Sequence, residues 1–402
     1  MSTSIPGGHT IRRRPRDRRA TILTAAADAF ARAGYHGTSM AEIATAVGIS
    51  SAALYRHFRN KQELLGHCLM SGMDVTVSRL DAAAVQDASG HRVFEELVAI
   101  ALELRGLPRL WQLEFRNLTA THRYSVLIRA VRLTGYLRRA VRTRRPELPD
   151  HDVELLSWCI LSVAVSPSYH RQQLPPTTFT SVLDAAILRL LTTDLPPGGA
   201  TARASRPSVT PPHSPEFERA ARPERLLGAA ARLFNSRGYA AVGIEDIGAA
   251  VGVSGPALYH HFASKADLLN EIIVRNEQWI GLYTARALAE GRDAREAVHL
   301  LMASFVGFAL EQPDLLGTTV SEVGHLPEPQ ATRYRRIHRD GILNWARLVQ
   351  TAQTELPLPE ARILIQAIGT VVIDAVRNPR VLGRGNLAGA LIAIGDRIAL
   401  HD

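Results

Sequence analysis

Of the 47 basic side chains in this 402-residue sequence only two are lysines, Lys61 and Lys265, and they stand 204 positions apart. Each follows a residue type that caps helices well, Asn60 or Ser264, and precedes an acidic residue, Glu63 or Asp267. An exposed helix start favours an anion, and a flexible ammonium beside it makes a phosphate clamp. A solvated surface lysine is the alternative. Other chemistry-bearing residues are sparse. Cys68 and Cys159 are too few for a disulfide framework and suit a reducing cytosol, no Cys/His cluster has metal-ligand spacing, and no acidic or thiol ligand adjoins His260-His261. Nucleophile, base and orienter do not converge anywhere. The nearest group, Asp150-His151-Asp152, follows Pro149, where helix starts gather acidic residues. The expectation is a protein without catalytic residues, cofactor or metal.

The lysines belong to a repeat. Residues 25–65 align with 229–269 at the same offset without a gap, and 19 of the 41 positions are identical. In the first copy Ala25, Ala26, Ala29, Phe30 and Ala33 have helical spacing, and Gly34 is a stop. Ser39 and Glu42 have capping-box spacing and open a short helix that buries Ile43 and Val47. Gly48 permits a tight turn. Ser50 then caps a third helix to about Phe58, with Leu54 and Phe58 inward and Ser51, Ala52, Tyr55 and Arg56 outward. Two short helices joined at a glycine are a helix-turn-helix. The cap chemistry at Asn60/Glu63 persists as Ser264/Asp267, which suggests the same backbone in both copies.

Each repeat precedes a long apolar stretch of helical pattern, 66–191 and 270–400. Between them 192–216 holds eight residues of proline and glycine among Thr, Ser and Ala, the composition of a tether. With 46% apolar and 21% charged residues the chain has enough apolar side chains to build cores, and a net charge of +9 favours a polyanionic partner. The run at 11–20 lacks the apolar core of a secretory signal, and 363–376 is too short to span a bilayer and contains Gln366 and Asp374. The expected location is the cytoplasm, at the nucleoid, with no membrane partner. The expected fold class is all-α.

Both repeats resemble the DNA-binding domain of the TetR family. The first carries Phe30, Gly34-Tyr35, Val47-Gly48-Ile49-Ser50, Leu54-Tyr55-Arg56-His57-Phe58, Lys61 and Leu64-Leu65. The second carries Phe234, Gly238-Tyr239, Val251-Gly252-Val253-Ser254, Leu258-Tyr259-His260-His261-Phe262, Lys265 and Leu268-Leu269. The resemblance covers about 50 residues per copy. It implies two tandem units, each a three-helix helix-turn-helix domain followed by a helical ligand-binding and dimerisation domain. The corresponding bounds are a basic arm at 1–15, a DNA-binding domain at 16–76 (motif 39–58), a sensor at 77–191, a linker at 192–219, a second DNA-binding domain at 220–280 (motif 243–262) and a second sensor at 281–402.

Recognition helices of this kind put N-terminal side chains at base edges in the major groove. Ser51, Ala52 and Arg56 are the candidate readers in the first unit, and Gly255, Pro256 and His260 replace them in the second. Arginine binds guanine bidentately and histidine does not, so the two half-sites should differ. Tyr55 and Tyr259 resemble the family's phosphate-contacting tyrosine, with a packed ring and wet hydroxyl as the alternative. His57 and His261 either face DNA or complete local packing. Ser50, Ser254, Thr38 and Ser39 join the expected surface; Val242-Gly243 replaces the last pair in the second copy and loses a hydroxyl cap and a phosphate donor. Arg12, Arg13 and Arg14 head a run suited to a minor-groove arm or a solvated tail.

Trp111, Phe115 and Trp158 in the first unit, and Phe305, Phe308 and Trp345 in the second, either line an effector pocket or fill cores. The full expectation is a ligand-released repressor acting as a one-chain pseudo-dimer. It binds duplex DNA at an imperfect palindrome and responds to a small lipophilic effector. A helical scaffold that has lost DNA reading in one or both units, or an enzyme on a helical scaffold, are the rival expectations.

Overall fold

The computed structural model describes residues 15–198 and 221–400, and every regular element among them is helical. The arm residues Arg12, Arg13 and Arg14 and most of the expected linker lie outside the described residues. Two compact units emerge, one taking in the chain up to Ser78 together with Leu104–Leu133, the other Arg79–Glu103 and everything from Thr134 onward. The expected division at 76/77 falls inside one uninterrupted helix, and that at 280/281 inside another.

The first unit contains α1 (Pro15–Gly37), α2 (Met40–Val47), α3 (Ser51–His57), the start of α4 (Lys61–Gln86), α6 (Leu107–Glu114) and the start of α7 (Ala120–Arg144). Gly34, at φ +72°, interrupts α1 where the sequence placed a stop, since few residues other than glycine adopt that conformation. The bend lets Ile22, Ala26 and Phe30 meet Ile43, Leu54, Phe58, Leu64 and Leu69 in one buried core. Most of these side chains are long aliphatic or aromatic groups whose truncation costs about 2–5 kcal/mol apiece, so this small domain rests on its helical periodicity.

The second unit contains α5 (His91–Glu103), α8 (Asp150–Val165) and α9 (Pro176–Leu191), then α10 (Arg222–Arg237), α11 (Ile244–Ala250), a 3-10 turn (Gly255–His260) and α12 (Lys265–Glu290). It continues through α13 (Ala294–Glu311), α14 (Pro313–Glu322), α15 (Glu328–Ala352), α16 (Leu358–Ala375), the short α17 (Pro379–Leu382) and α18 (Leu387–Ala399). Helices α8 and α9 pack directly on α16, and α9 also on α18. Leu156, Ile160, Ile368 and Val372 are buried there. Ser162 Oγ donates to Asp374 Oδ2 at 2.8 Å, Arg189 to the Ile398 carbonyl at 3.1 Å, and the buried Arg384 to Asp152 at 2.6 Å. Asp152 Oδ1 thus pairs with the buried Arg384, and His151 Nε2 stands 3.5 Å from the same oxygen.

Candidate nucleic-acid interface

The first reading head is built from local hydrogen bonds. The Glu42 amide donates to Ser39 Oγ at 3.1 Å, and the Ser39 amide to Glu42 Oε2 at 2.8 Å. The Ser39 amide first, and its hydroxyl second, hold the Glu42 carboxyl below its usual pKa. Gly48 ends α2 at φ +70°. Ser50 Oγ accepts from the Ala53 amide at 3.1 Å and starts α3. Leu54 and Phe58 are buried, as the periodicity requires, while Ala52, Tyr55, Arg56 and His57 are exposed and Ser51 is half-buried. Around α3 an aromatic hydroxyl, a guanidinium and an imidazole are thus exposed.

The second head keeps the plan and changes the element. Gly252, at φ +76°, makes the turn, and the Gly243 amide donates to Asp246 at 2.8 Å with no side chain to answer it. Residues Gly255–His260 form a 3-10 turn instead of the expected α-helix, and Ser254 makes no side-chain cap. The physical reason lies at two glycines. A Cβ on Gly248, the counterpart of Ala44, would stand 2.7 Å from the Val253 carbonyl oxygen and 3.0 Å from the Gly255 nitrogen. Gly255, the counterpart of Ser51, lies against Glu245, where a Cβ would meet its backbone at 3.3 Å. The turn therefore lies close against α11. Gly255 is buried, not outward as the sequence suggested. Ser254, Pro256, Tyr259, His260 and His261 are exposed.

The model of bacterial regulatory proteins of the tetR family matches at residues 22–68 and again at 226–272. The chain thus carries the tetR-family domain twice. It is a DNA-binding transcriptional regulator with two TetR domains in tandem. The activator FasR of Mycolicibacterium smegmatis is 26% identical over 153 residues, 38% of this chain and 69% of that protein. The repressor KstR2 of Rhodococcus jostii is 28% identical over 114 residues, 27% of this chain and 56% of that protein. Among solved structures the TetR regulator PfmR of Thermus thermophilus is 24% identical, with a TM-score of 0.39, covering 43% of this chain and 96% of that one.

Behind each TetR domain sits a contact that sequence reading missed. The buried Glu114, at the end of α6, accepts from the Tyr35 amide at 2.9 Å, just past the bend at Gly34. Glu322, at the end of α14, does the same for the Tyr239 amide at 3.1 Å, just past Gly238. Each carboxylate thus holds the bend that joins its first helix to its reading head. A signal existed: both glutamates lie 33 residues before the repeated Glu-Leu-Pro at 147–149 and 355–357.

The two lysines also have partners within the protein. Lys61 Nζ donates to the Thr38 carbonyl at 2.8 Å and lies 4.5 Å above the Tyr35 ring, and Lys265 Nζ lies 4.2 Å above the Tyr239 ring. Burial lowers the Lys265 pKa, against the pull of Asp246 and Glu322. Neither is the freely solvated side chain offered as the alternative. Thr38 departs from its expected place at the DNA surface. It is 2% exposed, and its hydroxyl donates back into α1, to the Gly34 carbonyl at 2.8 Å, because the bend turns it inward. Its counterpart Val242 is equally buried, so the exchange keeps a β-branched shape in a core slot and removes no phosphate donor. Ser39 stays exposed with its hydroxyl engaged in the cap. Arg19 lies 4.6 Å over the Phe58 ring, packing the head from α1.

The six aromatic pocket candidates do not gather around one cavity. Trp111 and Phe115 stack at 6.0 Å against the core of the first TetR domain. Trp158 donates to Glu154 at 2.9 Å, while Phe305 and Trp345 meet edge to face at 5.6 Å and Phe308 stacks with Trp279 at 5.8 Å. An open cleft of about 620 Å³ in the second unit is polar instead, with Asp293, Arg295, His299, Asp396 and Arg397 among its walls. Among the described residues no helix is long and apolar enough to cross a membrane.

Proposed function

We propose that one chain is a complete operator-binding unit, a ligand-released repressor in which the second TetR domain takes the place of a partner subunit. The observation that carries this reading is the direct packing of α8 and α9 on α16, and of α9 on α18, sealed by the Asp152–Arg384 pair and the Ser162–Asp374 bond. An interface of buried apolar helix faces with hydrogen-bonded polar groups is the kind that associates permanently. Two covalently joined but unlike heads are free of the symmetry that identical subunits impose, so the operator would be an imperfect palindrome. Arg56 and the exposed residues around it would read one half. Tyr55, Tyr259, Ser39 and the free donors of Lys61 and Lys265 would hold phosphates. A small lipophilic effector that binds better to the DNA-incompetent state would release the operator by linkage. The protein would act on the chromosome, in the cytoplasm.

Duplexes selected from a random pool test this. Light scattering should find one chain on one duplex, binding should depend on the first power of protein concentration, and Lys61→Ala or Lys265→Ala should weaken all duplexes alike and shallow the salt dependence. Second-order binding would overturn the single-chain unit. The 3-10 turn of the second head favours a second reading, in which that head grips the backbone and reads few bases. Selected sites with sequence preference in one half only would decide for it.

A further inference from the structure

Helix α7 has opposite characters on its two sides. Inward, Val126 belongs to the buried core of the first TetR domain, Leu133 is buried, and Arg129 holds Asp74 of α4 through two bonds of 2.6 and 3.0 Å. These contacts fix the rotation of the helix. Outward, Tyr124, Leu127, Ile128 and Val131 are 68%, 47%, 44% and 48% exposed, and their spacing of i, i+3, i+4 and i+7 sets them in one stripe about two turns long. All four belong to the first unit. Arg123 and Arg132, also exposed, flank the stripe about a quarter turn to either side.

The second half shows that the fold does not need this stripe. Helices α7 and α15 are both 25 residues long, and their starts at Ala120 and Glu328 share the offset of 208 that separates Glu114 from Glu322 and the two Glu-Leu-Pro sequences. At that offset the stripe becomes Thr332, Arg335, Arg336 and Arg339, all exposed. Arg335 pairs there with Glu328, and Arg339 with Asp340 at 3.1 Å. Water therefore meets charges on α15 and apolar groups on α7, at matched places of one scaffold. An apolar surface left in water where the same scaffold carries arginine is a cost that a covering partner removes.

Charge and area together say what covers it. From Ala120 to Arg144 α7 carries seven arginines and no acidic residue, so its surface matches anionic groups. The four side chains leave roughly 400 Å² bare, within the range of functional patches. That is about half of the roughly 800 Å² per partner that a stable pair of chains buries. Two copies meeting here would also set arginine against arginine. A single amphipathic helix matches the stripe in length and width.

We propose that the outer face of α7 receives an amphipathic helix of another protein, apolar on one side and bordered by acidic residues, and that each chain takes one such helix because the second half has no counterpart. The apolar faces close on each other and give affinity, while carboxylates of the incoming helix meet Arg123 and Arg132 and give orientation and choice of partner. Val126 and the stripe share the same turns of α7, so the docked helix rests against the back of the first TetR domain. The inference goes beyond operator binding and does not depend on it: the chain would hold another protein on one half only.

Fluorescence anisotropy of the full chain with two labelled helical peptides tests it. Both carry leucine at i, i+3, i+4 and i+7; one has glutamate on the flanks and the other lysine. The glutamate peptide should saturate at one per chain and bind at least about tenfold more tightly than the lysine peptide. Leu127→Arg and Val131→Arg, which bring in the residue type of the second half, should each weaken it at least about tenfold, with the melting temperature and the binding of a selected duplex retained. Arg123→Glu together with Arg132→Glu should invert the preference. Two peptides per chain, no saturable binding, or indifference to both stripe variants would overturn the site. A mass in light scattering that doubles with concentration, and stays single in Leu127→Arg, would give the face to a second copy. Adsorption to phosphatidylglycerol vesicles that the same variant abolishes, with no peptide bound, would give it to a membrane surface, and loss of duplex affinity in that variant would give it to DNA. Each of these three results overturns the proposal. Peptide binding by a chain that ignores every duplex would leave the docking face standing and bring down the regulator reading alone.

Discussion

The first TetR domain presents its outward residues on an α-helix and the second on a 3-10 turn, although nearly half of their aligned positions are identical. Identity extends to buried residues and to glycines at positive φ, as at Phe30/Phe234, Ile43/Ile247, Leu54/Leu258, Gly34/Gly238 and Gly48/Gly252. It fails at Ala44/Gly248 and Ser51/Gly255, the contact between the second helix and the third element. A pair of side chains no larger than a methyl and a hydroxymethyl thus sets how far the reading segment stands off its support. The arrangement of the reading surface depends on the thinnest contact beneath it.

The largest effect should come from reversing that contact. Gly248→Ala puts a Cβ against three backbone atoms and should destabilise the second head by about 2–3 kcal/mol, whereas Ala44→Gly should cost the first head only about 1 kcal/mol, the helix propensity difference. Hydrogen exchange of 244–262 and 40–58 in the full chain measures both, and equal effects would break the comparison. Next, Arg56→Ala should remove roughly 1–3 kcal/mol of discrimination at one base pair in one half of a selected site. His260→Ala should remove less, in the other half. Relaxation of both halves by Arg56→Ala would mean that the heads are not independent.

A third contrast lies at the junction of the halves, where α8 offers a neutral hydroxyl and α16 a carboxyl. Burial raises the Asp374 pKa to about 6, against the bond from Ser162 and the charge of Arg377. The folded protein therefore binds the proton more tightly than the unfolded chain does. Its contribution favours folding below the unfolded pKa of about 4 and is lost as pH rises to about 6. Asp374→Asn should remove a fall of about 1–3 kcal/mol across that window, visible as a flatter dependence of the denaturant midpoint on pH. An unchanged dependence would place the ionised carboxyl in a better solvated setting. The smallest effect is expected of Thr38→Val. Val242 fills the same slot without a hydroxyl, so stability should drop by no more than about 1 kcal/mol and duplex affinity should not move. A large loss of affinity would return Thr38 to the DNA surface.

The repeat, the caps at Ser39, Ser50 and Ser264, the turns at Gly48 and Gly252 and the outward face of α3 were all legible in the amino-acid order. Each is decided within three or four residues, by hydrogen bonds to the nearest turn, by the steric freedom of glycine or by the period of the helix. What lay beyond reach depends on groups far apart in the chain. Thr38 looks like a surface hydroxyl until the bend at Gly34 turns it under α1. Lys61 looks solvated until the Tyr35 ring is set beneath it, and Glu114 is one acid among 38 until α6 brings it to the Tyr35 amide. The aromatic residues were recognisable as apolar, yet whether they fill a core or line a cavity depends on what stands opposite them. Local order determined which helices form and which faces they show; only the tertiary structure decided which polar groups meet, because burial and partnership are properties of the whole fold.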